Sequence, residues 1–108
     1  MARWRDKAEV DWIENVSSPE VEAAWRVLED ANDELVDLDR ERKRLERVVD
    51  VADKESEAHI AAKARLRKLN EKIREVGIRH TKADRAYEQA IKDGFAKYKA
   101  EQERISSN

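Results

Sequence analysis

From Val21 to Ala52 the apolar positions alternate in steps of three and four: Val21, Ala24, Leu28, Ala31, Leu35, Leu38, Arg42, Leu45, Val49 and Ala52. Arg42 is the one polar interruption. A mean step of about 3.5 residues keeps these side chains on a single helical stripe and specifies a left-handed coiled-coil seam. The pattern returns as Ala62, Leu66, Leu69, Ile73, Val76, His80, Ala83, Tyr87 and Ala90. The two stripes do not join in phase, because extending the first would place Ser56, Lys63 and Asn70 on the seam. No glycine or proline occurs from Glu20 to Val76, so the usual helix breakers do not mark the junction. The polar run Asp53-Lys54-Glu55-Ser56-Glu57 fills the gap, with Asp53 or Ser56 as a candidate cap.

Upstream, residues 3–16 suit a short helix, with Trp4, Ala8, Trp12 and Val16 stepping by four along one face and Ile13 beside them. Ser17-Ser18-Pro19-Glu20 follows. A serine cap, proline in the first turn and a glutamate there are a strong start signal for a helix. The pattern predicts a short helix over 3–16, a first arm over 19–52, a turn over 53–57 and a second arm over 57–104. Gly77, with the capping sequence Thr81-Lys82-Ala83-Asp84 after it, marks 77–81 as a possible kink or break in the second arm.

Two features favour a turn over one continuous rod. The six aromatic residues lie near the chain ends, Trp4, Trp12 and Trp25 early and Tyr87, Phe95 and Tyr98 late. Folding back near residue 55 makes facing positions sum to about 110, which brings Trp25 beside Tyr87 and Trp12 near Phe95 and Tyr98 in one aromatic end. Charge agrees. Glu29, Asp30, Asp33, Glu34, Asp37 and Asp39 form a base-free acidic stretch, and in this register they face Lys72, Arg74, Arg79 and Lys82, against only Glu71 and Glu75. Charges flanking a seam select partner and orientation. The expected fold is all-α: an antiparallel, coiled-coil-like helical hairpin in a single domain of residues 1–108, with the short N-terminal helix packed at the open end.

Composition fits that expectation. Ala, Glu, Lys, Leu and Arg supply 59 of 108 residues, and 44% of the chain is charged while its net charge is only -2. That is a coiled-coil balance and lacks the large net charge of a disordered chain. With no cysteine there is no disulfide framework or thiolate site. No stretch has membrane-spanning length and the N-terminus has no apolar leader core, so the expected setting is the cytoplasm, or a particle assembled there.

Catalytic and cofactor chemistry find little footing. His59 and His80 are 21 residues apart, about 31 Å along one helix at 1.5 Å per residue, too far to share a metal within one chain. Neither belongs to a Glu-x-x-His motif. Ser17 and Ser18 read as caps rather than nucleophiles. Two glycines, Gly77 and Gly94, cannot build a phosphate-binding loop. The reading is a non-enzymatic protein with no cofactor, no metal and no small-molecule substrate.

The sharpest charge feature is a basic collar, Arg40, Arg42, Lys43, Arg44 and Arg47 on the first arm with Lys63, Arg65, Arg67 and Lys68 on the second. In the hairpin register these face one another below the turn, with Glu41 and Glu46 as the acids among them. Such a collar is an electrostatic footprint for phosphate backbones, but no aromatic residue interleaves it for base stacking. The segment Leu35-Val36-Asp37-Leu38-Asp39-Arg40-Glu41-Arg42 leading into the basic stem resembles the tRNA-binding arm of seryl-tRNA synthetases, a compositional likeness over about half the chain. Size and architecture are similar to the small WXG-type secreted hairpins. The turn lacks Trp-x-Gly, however, and neither Tyr87 nor Tyr98 begins Tyr-x-x-x-Asp/Glu, so that family is not assigned.

A two-helix seam leaves apolar residues beyond the stripe, including Val27, Val36, Val48, Val51, Ile60 and Ile91, for a partner helix or a second copy to cover. The expected function is protein–protein interaction or assembly, as an adaptor or structural component and as a homo-oligomer. The alternative is a nucleic-acid-binding hairpin that uses the collar.

Overall fold

The computed structural model describes residues 5–107. Three α-helices account for 89% of them, with no strand among the described residues: α1 over Lys7–Asn15, α2 over Pro19–Val51 and α3 over Glu57–Ser106. The two long helices pack against each other. Among the described residues no helix is long and apolar enough to cross a membrane. Two compact units are distinguished, one comprising the chain through Leu28 together with Ala83 onward, the other Glu29–Lys82.

The starts of α2 and α3 have identifiable causes. Ser18 Oγ accepts the Val21 N–H at 3.2 Å, and Pro19 occupies the first helical position, where its missing N–H costs no helical bond. α1 is closed just before this point: the Val16 and Ser17 N–H groups both donate to the Trp12 carbonyl, at 2.9 and 2.8 Å. Ser17 adopts φ 57, a left-handed geometry that costs a non-glycine residue about 1–2 kcal/mol. α3 is started by Ser56, whose Oγ accepts the His59 N–H at 3.2 Å. The connection spans residues 52–56. α3 runs through Gly77 unbroken, and Thr81 spends its hydroxyl donating to the Gly77 carbonyl at 3.1 Å instead of capping a new helix.

In the Glu29–Lys82 unit, every seam position is buried or half-buried. Ala31, Ala62, Leu69 and Val76 are the buried apolar residues, and Val76 retains only 1% exposure. Complete burial of such a side chain contributes about 1.5–3 kcal/mol. His59 takes a seam place and is 7% exposed. Its ring Nδ1 lies 3.1 Å from the Val49 carbonyl, where Nδ1–H donates to an acceptor in the last turn of α2 that the helix leaves open. Cross-helix pairing of the acidic stretch is sparser than expected. Of the acids from Glu29 to Asp39, Glu34 alone is paired with a base on α3, Arg79.

The other unit is centred on Trp12, Val21 and Ile91, with Ile13, Tyr87, Ala90, Phe95 and Tyr98 packed against them. Two expectations are corrected here. Ile91, placed above among the uncovered residues, has 0% exposure, because α1 lies over it. The buried face of α1 is not the row Trp4, Ala8, Trp12 and Val16. Ala8 is exposed, and Val16 lies beyond the helix end and is 54% exposed. Glu9 and Trp12 are buried instead. Trp4 falls outside the described residues.

Candidate functional site

The aromatic end is built by α1, the start of α2 and the last third of α3. Trp12 projects onto α3 at Gly94. A Cβ added to Gly94 would stand 2.5 Å from Trp12 Cη2 and 3.1 Å from Cζ2, closer than any side chain tolerates, so the indole fits because position 94 has none. Around it the Phe95 and Tyr98 rings lie at centroid distances of 6.0 and 6.4 Å, tilted by 50° and 43°. These tilted arrangements suit ring quadrupoles. Lys99 Nζ sits 5.9 Å from the Phe95 centroid. Trp25 pairs with Tyr87 at 5.3 Å yet stays 47% exposed. It stands at the edge of the cluster and leaves a large apolar face open to solvent.

A charged clip holds α1 from its other end. The Arg5 guanidinium donates from Nη1 to Glu88 Oε2 at 3.0 Å and from Nη2 to Glu88 Oε1, a two-pronged geometry that lysine cannot reproduce. Nη1 also donates to Glu9 Oε1 at 3.2 Å, and the guanidinium carbon lies 6.0 Å from the Tyr87 centroid. Burial acts to lower the Arg5 pKa, but hydrogen bonds and charge from Glu88 and Glu9 hold it above its usual value. This clip is why α1 buries Glu9. No period within α1 records it, because Arg5 precedes the helix start at Lys7 and Glu88 lies on α3.

Beside Trp12 runs an open groove of about 1100 Å³, lined by Ala86, Ala90, Gly94, Lys97 and Tyr98 of α3 among others.

All nine collar bases lie in the Glu29–Lys82 unit, and they divide into two sets. Arg40 pairs with Asp37 at 3.8 Å. Arg42 pairs with Asp39 and, at 3.6 Å, with Glu46, and Lys43 reaches Asp39 at 3.1 Å. These contacts lie within α2. The Lys43 hydrogen bond is the largest influence holding the Asp39 carboxyl below the usual aspartate range, with the Lys43 and Arg42 charges adding to it against a smaller desolvation effect. Arg42, the polar seam residue, keeps its Nε buried and without a hydrogen bond, facing Glu46 Oε1 at 3.6 Å, while its Nη2 reaches Asp39. Arg44, Arg47, Lys63, Arg65, Arg67 and Lys68 are exposed and have no ion pair among the described residues.

Among the described residues no group of three or more His, Asp or Glu side chains is placed to hold a metal ion. His80 is half-buried on the seam of α3. Compared with known proteins, the chain matches no family model, no curated protein and no solved structure.

Proposed function

We propose that the chain is a non-enzymatic helical interaction protein, an adaptor or structural component of a larger assembly. Its platform in this reading is an antiparallel, coiled-coil-like hairpin with α1 packed at the open end. Three pairings support the platform: Trp25 with Tyr87, Glu34 with Arg79 and Val49 with His59. All keep near the summed register of about 110 that a fold-back at residue 55 requires.

The observation that carries the assembly reading is the set of aliphatic side chains left in water. Val27 is 56% exposed, Val36 43%, Ile60 60% and Ile78 55%, although the seam itself is covered. A protein partner gains by covering such residues. The partner is a protein, a second copy of the chain included. The setting is the cytoplasm or a particle assembled there, and no cofactor, membrane or small-molecule substrate enters the reading. Size fractionation of a gently prepared extract of the source cell tests it. The expected result is elution well above the mass of the 108-residue monomer. Elution as the free monomer would contradict the reading.

The collar supports a second reading, nucleic-acid binding, because six of its bases are exposed and without an ion pair among the described residues. That reading requires an affinity that falls steeply with salt. It also requires that reversing Arg42, Arg44, Arg65 and Arg67 abolish binding. Absence of RNA or DNA binding by the wild-type chain at low salt removes it.

A further inference from the structure

Within the Glu29–Lys82 unit six charges stand in a row on α2: Asp30, Asp33, Asp37, Arg40, Arg44 and Arg47. Each follows a seam residue by two positions (Leu28, Ala31, Leu35, Leu38, Arg42 and Leu45 in turn), which is about 200° around the helix. The row therefore lies opposite the seam, and all six residues are exposed. Because α2 is one uninterrupted helix over Pro19–Val51, the row is a fixed strip about 26 Å long at 1.5 Å per residue.

The order of the charges is unusual for a merely solvated face. Charges that stabilise their own helix alternate in sign at spacings of three and four. Here Asp30 and Asp33, Asp33 and Asp37, Arg40 and Arg44, and Arg44 and Arg47 are like-charged neighbours at those spacings, which destabilises an isolated helix. Within the row the ion pair stands at the sign boundary, where Arg40 Nη1 lies 3.8 Å from Asp37 Oδ1; Arg26, four before Asp30, continues the row upstream without an ion pair among the described residues. Asp30, Asp33, Arg44 and Arg47 have no ion pair among the described residues.

The strip is its own complement when reversed. A second α2 laid antiparallel about a two-fold axis midway between Asp37 and Arg40 brings Asp30 to Arg47, Asp33 to Arg44 and Asp37 to Arg40, each pair occurring twice. A parallel arrangement sets acid against acid, and sliding the antiparallel one by a heptad in either direction brings like charges together. An isologous contact needs this self-complementarity, residue i meeting j while j meets i. We infer that this outer strip of α2 is the contact between two copies of the chain, paired antiparallel through these six residues. The inference rests on the assembly reading and names its partner as a second copy. The charges set orientation and register more than affinity, so the association weakens as salt screens them.

Sedimentation equilibrium of the purified full chain and two charge-reversed variants tests this. One variant carries Arg40→Glu, Arg44→Glu and Arg47→Glu; the other carries Asp30→Lys, Asp33→Lys and Asp37→Lys. The expectation at low salt is that each variant alone self-associates at least about tenfold more weakly than wild type, while an equimolar mixture recovers association. Circular dichroism confirms that the helices persist; should a triple variant fail to fold, Asp33→Lys and Arg44→Glu, singly and mixed, carry the same comparison. Variants that associate as tightly as wild type, or a mixture that does not associate, overturn the proposal. A monomeric wild type that instead binds duplex oligonucleotide through Arg40, Arg44 and Arg47 also overturns it. A purified monomer that nevertheless elutes in a large particle from source extract overturns the strip contact while leaving the assembly reading intact.

Discussion

Single residues decide how α1 is held. Arg5 gives Glu88 a two-pronged contact and adds Glu9, so a helix of nine residues, too short to persist alone in water, gains an anchor at its start and Trp12 at its middle. Asp39 has a comparable local role on α2, gathering Arg42 and Lys43. Its folded pKa lies below the usual aspartate value of about 3.9. A depressed carboxylate contributes stability that is complete above the unfolded pKa and is lost as pH falls through the folded one. Carboxyl-carbon NMR titration is expected to place the Asp39 midpoint below that of an ordinary exposed aspartate, and Lys43→Ala is expected to move it upward. A midpoint at or above the ordinary value would show that the pair does not persist in solution.

At the scale of elements, the two glycines of α3 make opposite predictions. Gly77 has open space where a Cβ would stand, and α3 is helical there, so Gly77→Ala is expected to stabilise the chain by about 0.5–1 kcal/mol through helix propensity alone. Gly94→Ala has the same propensity advantage but drives a Cβ into the Trp12 ring. Overpacking of this kind costs about 1–3 kcal/mol, so net destabilisation is expected, with loss of Trp12 burial. Thermal denaturation followed by circular dichroism and tryptophan fluorescence checks both, and equal shifts for the two variants would sink the account of α1 docking. The apolar stripes, and a cap from the Ser17-Ser18 pair and from Asp53 or Ser56, were legible in the sequence because they depend on spacings within one helix; the structure selects Ser18 and Ser56. The face of α1 was not, since Glu9 is buried through Arg5 and Glu88, the latter 83 residues from Arg5. Ile91 was misread for the same reason: its cover comes from α1, which no period within α3 records.

At the scale of the whole molecule, the chain buries its apolar residues in a narrow seam and one aromatic cluster, leaves others such as Val27, Val36, Ile60 and Ile78 exposed, and groups its charges in blocks. The acidic stretch pointed toward pairing with α3, yet Glu34 alone makes such a pair. A position's sign can be read from sequence, but whether it flanks the seam or lies opposite it follows only from counting around the helix. That count turns Asp30, Asp33 and Asp37 outward and joins them to Arg40, Arg44 and Arg47 in one strip. The collar thus has two parts, bases paired within α2 and exposed bases that have no ion pair among the described residues. The most direct test is sedimentation equilibrium of the wild-type chain over a concentration series at low and at high ionic strength. The account predicts an apparent mass that climbs from monomer toward twice that value with concentration at low salt and falls back as salt is added. A single monomer mass at every concentration in low salt would contradict it.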